Sequence, residues 1–458
     1  MTGGLSTAFV AREMSARGYT VIAGAERPIT GGAADSRKVL PGDLFTAFPG
    51  ENADGNDFVA GALDAGAAAA ICERAPAGAW PAATIVVAPD ATRAVGELAK
   101  AWRVACAPRV VGITGTVGKT TAKELTAGAL STRFRTHRST GNLNSREGLP
   151  LALMSLCGGH EVSVLEMGMD SRGEIRDLCE IAAPSVGVVL NIGLTHIEKL
   201  GSIEAIEEEK LALARFLPGD GTAVLNTDDE RIARAAPGLE CRMITFGQGE
   251  EAMLRRGPVT AHGLAGCTFE AAFGGHSARI ESPLPGEHVA AAALAATGVC
   301  MALGMPFAEA AAAVGQGKVE GRVHPLASDT GATIIDDRYN SSPASLAGAL
   351  RMLAALPGGR IAFLGRMAEL GAFEEEEHRT AGRIAAVSCD TIVAVGESCR
   401  ALAEAAREAG HPDVRWFAGK DEAARAVRKL LQRGDHVLVK ASRAMAFETI
   451  LPVLEGRP

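Results

Sequence analysis

At 458 residues, 47% of them apolar, the chain is long enough for about three domains and rich enough in apolar side chains to give each a core. Its net charge of −8 and the lack of a basic cluster argue against a nucleic-acid partner. Nine scattered cysteines with no Cys-x-x-Cys pair fit a reduced, cytoplasmic setting better than a disulfide framework. The first 19 residues lack an apolar signal core. The uncharged stretch 289–308, with Pro306 inside it, reads as a buried helix and its turn, so no membrane span is expected.

Strand and helix patterns divide the chain into three α/β regions. Residues 1–107 are predicted to form a smaller N-terminal domain. Within it, 40–48 reads as a turn feeding a short strand, 61–70 as an alanine-rich helix leading into a strand at Ala69–Cys72, and 84–88 as another strand. Pro108 is a predicted hinge. The central region, 108–321, opens on Arg109-Val110-Val111, continues through Gly112-Ile113-Thr114-Gly115-Thr116-Val117-Gly118-Lys119-Thr120-Thr121, and passes into the helix formers Ala122-Lys123-Glu124-Leu125. Strand, glycine turn and helix start are the layout of a phosphate-binding loop. Gly115, Thr116, Val117 and Gly118 would close their N–H groups around phosphates. Lys119 would neutralise β/γ charge, and Thr120, beside Thr121, would put a hydroxyl on Mg²⁺. The strict pattern wants glycine where Ile113 stands, so the fit is to the Thr-Gly-Thr-x-Gly-Lys-Thr variant. ATP and Mg²⁺ are the expected cofactors.

Strands are predicted at Val162–Glu166, 186–191 and 223–226, with helices at 173–182 and Ile203–Phe216. This alternation predicts a parallel sheet with ligand at its carboxyl edge, where Glu166 and His196 could position a metal near the γ-phosphate. The third region, 322–458, shows strands at 361–364, Thr391–Val395, Val414–Phe417 and His436–Lys440, each followed by a helical pattern. That repeat predicts a second doubly wound, Rossmann-like domain.

The loop variant resembles that of the Mur ligases and folylpolyglutamate synthases, which join a carboxylate to an amine using ATP. The likeness continues through Thr140-Gly141-Asn142-Leu143-Asn144, Glu166-Met167-Gly168, Asn191-Ile192-Gly193 and His196-Ile197-Glu198. It implies catalytic roles for Lys119, Glu166, His196 and Lys210, and a metal held by Thr120, Glu166, His196 and Lys210. In this family the lysine matching Lys210 is commonly carbamoylated and then ligates metal. Glu207, Glu208 and Glu209 offer a plainer account, with Lys210 balancing charge on a solvated helix face. Glu320-Gly321-Arg322 resembles a boundary motif whose arginine reaches the phosphates. Asp336-Asp337-Arg338-Tyr339-Asn340-Ser341-Ser342-Pro343 resembles the Asp-Asp-Ser-Tyr-Asn-Ala-Asn-Pro motif of the D-alanyl-D-alanine-adding members. Segments 364–371 and 439–443 align with further motifs of those members. By this resemblance Arg322, Asp336 and Tyr339 join the nucleotide site, and Asn142, Asn340, Lys440, Ser442 and Arg443 the substrate site. The segment Asp35-Ser36-Arg37 resembles the region that holds the UDP-sugar, which makes Ser36 and Arg37 substrate-binding candidates; an ion pair to Asp35 or Asp43 accounts for Arg37 equally well.

The resemblance implies an ATP-dependent, ADP-forming ligase acting through an acyl phosphate. It would add D-alanyl-D-alanine to UDP-N-acetylmuramoyl-tripeptide in peptidoglycan precursor synthesis, as a monomer with small-molecule substrates. The chain also departs from the family pattern. The helix expected to meet adenine, Gly286-Glu287-His288-Val289-Ala290-Ala291-Ala292-Ala293-Leu294, has Val289 and Ala292 where asparagines are usual. Adenine contact is then either lost or moved to backbone groups and Tyr339. Arg366 stands for an aspartate, Arg338 for a serine, Ala441 for a glycine and Asn56 for a histidine. These departures leave open a ligase for another carboxylate–amine pair, and a nucleotide-binding module without catalysis.

Overall fold

The computed structural model describes residues 3–50, 53–286, 288–316 and 324–457. Three sheets, one per region, are layered with helices. The N-terminal sheet has five strands in the order Thr20–Ile22, Thr84–Val87, Ala69–Cys72, Asp43–Thr46, Gly31–Ala33, and only the first pairing is antiparallel. The alanine-rich helix is shorter than the predicted 61–70 and spans Val59–Asp64. Gly66, at φ +102°, turns the chain out of the helix before the strand begins.

The helix Ala91–Cys106 belongs by sequence to the N-terminal region, yet it docks on the central one. Trp102 is buried and donates its indole N–H to the Leu156 carbonyl at 2.9 Å. Arg103 Nε donates to the Ile181 carbonyl at 3.0 Å. The connection at Pro108 that sequence marks as a hinge thus follows a helix packed on the central region. Gly4 joins the same seam by bridging Cys157. Cys157 is partly exposed, with Sγ 3.3 Å from His160 Nδ1, and the other eight cysteines are buried. Burial pushes the thiols of Cys179, Cys300, Cys389 and Cys399 up to about 12.

The central sheet has ten strands. Its parallel part runs Leu254–Arg256, Arg242–Gly247, Thr222–Asn226, Val186–Val189, Arg109–Thr114, Val162–Glu166, Thr136–Arg138. It differs from the predicted all-parallel sheet by an antiparallel extension, in which Cys267–Phe273 pairs with Leu254–Arg256 and with His276–Ser282. Gly274 and Gly275, both at positive φ, close that hairpin in two residues, as the primed turns require. The uncharged stretch forms the buried helix His288–Ala302, a turn, and a second helix Phe307–Gly315. Among the described residues no helix is long and apolar enough to cross a membrane.

The C-terminal sheet has six strands in the order His324–Ala327, Thr333–Asp336, His436–Lys440, Arg360–Leu364, Thr391–Val395, Val414–Phe417. All pairings but the first are parallel. The four predicted strands are present. The first two were not expected, and the second delivers Asp336 and Asp337 to the sheet's carboxyl edge.

One buried histidine predicts how the central domain responds to acid. His137 Nδ1 lies 2.8 Å from Ser163 Oγ and Nε2 lies 3.1 Å from the Ala152 carbonyl. Burial, then the field of His160, lowers its imidazole from 6.5 to about 4. The unfolded chain binds this proton more readily over that window, so the stabilisation is complete above 6.5 and is lost as pH falls towards 4. The shift is worth about 3 kcal/mol. His137→Gln should flatten this limb of unfolding free energy against pH, measured by urea titration. An unchanged slope would place the acid sensitivity elsewhere.

Candidate active site

The phosphate loop leaves the strand Arg109–Thr114 and enters the helix Lys119–Leu130. Gly118, at φ +86°, makes the left-handed step that starts the helix, so first-turn N–H groups face outward from the sheet's carboxyl edge. Asn191, at the end of the neighbouring strand, braces the loop. Its carbonyl accepts from Thr116 N (3.1 Å), its Oδ1 accepts from Val117 N (2.9 Å), and its Nδ2 donates to the Val117 carbonyl (3.0 Å). The ammonium of Lys119 donates to the carbonyls of Gly115 (2.7 Å) and Thr116 (3.3 Å), within its own loop.

Glu166 ends the buried strand Val162–Glu166, and both carboxylate oxygens are aimed by neighbours. Thr120 Oγ1 donates to Oε2 at 2.9 Å and Asn144 Nδ2 donates to Oε1 at 2.7 Å. Gly168 permits the second contact, since a Cβ there would stand 3.0 Å from Asn144 Cγ. Gly168→Ala is therefore expected to push Asn144 off Glu166. ADP formation should fall by about tenfold or more with little change in melting temperature, and wild-type kcat would show that Asn144 is dispensable.

Lys210 sits on the helix Ile203–Phe216, which lies hard against the sheet. A Cβ on Gly112 or Gly187 would come within 3.0 Å or 3.1 Å of Leu213, so glycine at both strands lets the helix approach. Lys210 is 2% exposed and faces the cleft, not solvent. The three preceding glutamates do not hold it on a charged surface. Glu207 is taken by Arg231 (2.6 Å) and Arg234 (3.0 Å), and Glu209 accepts from the Gly173 and Ile175 amides at 2.7 Å each. Burial first, then the charge of Lys119, holds the Lys210 amine well below the ordinary lysine range, with Glu209 opposing.

A cavity of about 460 Å³ joins these groups to the C-terminal domain. From the central domain it takes the loop 116–121, Asn142, Glu166, His196 and Lys210; from the C-terminal domain, Tyr339, Asn340 and Lys440. Lys440 is buried, 2.6 Å from Asp337 Oδ2, and donates to the Asn340 carbonyl at 2.9 Å. His196 Nδ1 lies 2.6 Å from Glu369 Oε2 of the C-terminal domain without the alignment of a hydrogen bond, and the adjacent imidazole holds the Glu369 carboxyl below its usual range against partial burial. Leu284, Pro285, Val289 and Ala292 supply an apolar wall to the same cavity.

Other candidates lie apart from this cavity. Gly115 belongs to the phosphate loop but does not line the cavity. Asp336 does not line the cavity and pairs with Arg338 at 2.9 Å; burial raises its carboxyl, and the adjacent Asp337 faces the cleft instead. Ser442 is buried, its amide donating to the Arg366 carbonyl at 2.9 Å, and Arg443 reaches Glu448 at 3.4 Å. Ser36 and Arg37 form a short turn of the N-terminal domain. Arg37 is paired with Asp35 through contacts of 2.8 Å and 2.9 Å and holds that carboxyl down at about 2, while Asp43 caps the Leu40 amide. Arg322 and its boundary motif lie outside the described residues.

Several departures from the family pattern are absorbed locally. Arg366 is gripped by both oxygens of Glu374 at 2.7 Å, so the reversed charge is neutralised. Asn56 accepts from the Glu73 and Arg74 amides and donates to Asp54, tying two N-terminal loops together. Sequence places Asn191 at a strand end facing the nucleotide crevice but gives it no partner, and gives no site role to Asn144, Asp337 or Glu369, although each lies within a quoted motif. Their partners are 22 to 173 residues away in the chain, and only the fold supplies them.

Comparison with known proteins agrees over nearly the whole chain. Residues 28–103 match the Mur ligase family catalytic domain, 113–300 the Mur ligase middle domain, and 321–443 the Mur ligase glutamate ligase domain. A UDP-N-acetylmuramoyl-tripeptide–D-alanyl-D-alanine ligase from Bacillus subtilis is 33% identical, covering 94% of this chain and 94% of its own. MurF from Acinetobacter baumannii superposes with a TM-score of 0.86 at 28% identity over 98% of both chains. MurF ligase from Thermotoga maritima in complex with ADP gives 0.78 at 28% identity, covering 93% of this chain and 97% of that one. With its three domains matched in order and its phosphate loop, Glu166 and Lys210 meeting in one cleft, this chain belongs to the Mur ligase family.

Proposed function

We propose that the chain is an ATP-dependent ligase that joins the free carboxyl of UDP-N-acetylmuramoyl-tripeptide to the amine of D-alanyl-D-alanine, releasing ADP and phosphate. The observation that carries this reading is the convergence of Lys119, Glu166 and a buried Lys210 of lowered basicity on a cavity completed by Asn340 and Lys440. A carboxylate oxygen attacks the γ-phosphorus, the bond to the β-phosphate oxygen breaks, and ADP leaves behind an acyl phosphate. The neutral amine then attacks the acyl carbon. The tetrahedral intermediate loses its amine proton and expels phosphate, leaving the amide. Lys119 offsets charge on the transferring phosphoryl group, and the loop amides hold the nucleotide in line. The nucleotide's base rests on the wall of Leu284, Pro285, Val289 and Ala292, with Tyr339 at the same cavity. The two domains that line the cavity exclude water from the acyl phosphate. Ser36 and Arg37 contact the UDP moiety, and Arg322, Ser442 and Arg443 belong to the phosphate and amine sides of the site.

Magnesium fits the donor set. Thr120 and Glu166 present hard oxygens side by side, and Mg²⁺ commonly needs only one or two protein carboxylates besides phosphates and water. Among the described residues no cluster of three His, Cys, Asp or Glu side chains forms a metal site, so a carbamate on Lys210 would complete the set of Thr120, Glu166 and His196. When bound, the ion neutralises phosphate charge. The lowered basicity of Lys210 supports carbamate formation, in which the neutral amine adds to CO₂ and releases a proton.

The test is phosphate release with UDP-muramoyl-tripeptide and each of a panel of amines. Release with D-alanyl-D-alanine well above other dipeptides and amino acids is expected. Preference for another amine would favour a ligase of a different pathway, and no turnover with any pair would favour a nucleotide-binding module.

A further inference from the structure

One fully buried ammonium has no part in the reaction steps of the ligase. Lys123 sits on the helix Lys119–Leu130, one turn after Lys119, and its side chain is 0% exposed. A buried ion pair is often no more stabilising than well-packed apolar side chains of the same size, so core packing does not account for a lysine here. Its partners do. Nζ donates to the Ser139 carbonyl at 2.7 Å and lies 3.5 Å from the Gly141 carbonyl. Glu124 Oε1, 3.1 Å away, balances its charge, and the other oxygen of Glu124 is held by Arg138 Nε at 2.9 Å. The segment that Lys123 grips carries groups of the cleft. Ser139 Oγ accepts from the Glu166 amide at 3.2 Å. Asn142 and Ser145 line the cavity, and Asn144 donates to Glu166 Oε1 at 2.7 Å. The Asn144 carbonyl accepts from the Gly168 amide at 2.8 Å. The helix that begins at the phosphate loop and the loop 139–145 are therefore tied by this ammonium, which does not itself line the cavity.

We propose that Lys123 is a positioning residue that holds the loop 139–145 in register with the phosphate loop, so that an acid substrate at Asn142 and the Glu166 carboxylate aimed by Asn144 both face the γ-phosphate. A displacement of about 1 Å at such a loop is enough to cost a large factor in rate, although the displaced groups are otherwise intact. Losing the tether displaces the acid side and spares the nucleotide, because the phosphate loop is braced separately by Asn191. This inference rests on the ligase reading, with Asn142 on the acid-substrate side.

Two variants of the full-length protein test it. Lys123→Met keeps the apolar stem and removes every donor, and Glu124 retains Arg138, so no carboxylate is left unpaired. Lys123→Gln keeps an N–H for the Ser139 carbonyl. In Lys123→Met, kcat/KM for UDP-tripeptide should fall about tenfold or more. ADP affinity by calorimetry should match wild type, and Lys123→Gln should recover part of the loss. Hydrogen exchange with ADP bound should speed up in the amides of 139–145 and keep its wild-type rate in 112–121. A purely structural lysine would instead weaken ADP and UDP-tripeptide together, or lower melting temperature alone. Either of those results, a wild-type kcat/KM in folded Lys123→Met, or failure of both variants to fold would overturn the proposal. If the wild-type protein forms no ADP with any acid–amine pair, the ligase reading fails. The exchange measurement still decides the tether, and unchanged exchange in 139–145 would refute it.

Discussion

Replacing Lys119 by alanine is expected to reduce ADP formation by at least about 10²–10³-fold, the usual cost of removing one preorganised group that stabilises transition-state charge. Melting temperature should stay close to wild type, because its ammonium donates to carbonyls of its own loop, Gly115 and Thr116. A phosphate would draw the ammonium off those carbonyls. The substitution has a second effect. The charge of Lys119 helps to hold Lys210 in its neutral form, so its removal raises the Lys210 pKa and favours the protonated amine. Less carbamate should form at neutral pH, and the variant should need more bicarbonate than wild type for its residual rate. Single-turnover measurement of ADP at several bicarbonate concentrations checks both effects. Near-normal rates would refute the phosphate-loop assignment.

Lys210→Ala should cost as much, for a different reason. It leaves a buried space where an amine stood, with Glu166 still aimed by Thr120 and Asn144. A small carboxylate such as acetate or formate should enter that space and restore part of the rate, because it supplies the oxygens a carbamate would carry. Wild type should lose activity in CO₂-free buffer and regain it with bicarbonate. The lowered basicity of Lys210 means this loading persists at neutral pH, where an ordinary lysine would be mostly protonated, and weakens as pH falls through the amine's depressed pKa. Absence of rescue by every small carboxylate, together with indifference to CO₂, would leave Lys210 a buried amine with no ligand role.

The parts of the fold legible in sequence were those set by local pattern. The strands Val162–Glu166 and Thr391–Val395 and the helix Ile203–Phe216 have the predicted bounds, because apolar periodicity and caps such as Ser202 are local signals. The antiparallel hairpin ending at Ser282 was missed although Gly274-Gly275 marks its turn, and Thr333–Asp336 was read only as part of a motif. In the cleft, the loop, Glu166 and Lys210 could be named from their positions after strands and on a helix. Which of two adjacent aspartates faces inward could not. Asp336 and Asp337 point to opposite sides of a strand end, and the choice depends on Lys440, a hundred residues on. Likewise Glu369 has no meaning until two sheet edges are brought together.

The uneven burial of the cysteines has a practical consequence. Cys157 alone retains partial access, at the seam where Gly4 bridges to the central domain, and the remaining thiols are shielded by the cores. A maleimide fluorophore added to the native protein should therefore attach at one place without mutagenesis. Its emission would report how firmly the amino-terminal segment is seated, and would stay silent on motions at the far side of the molecule.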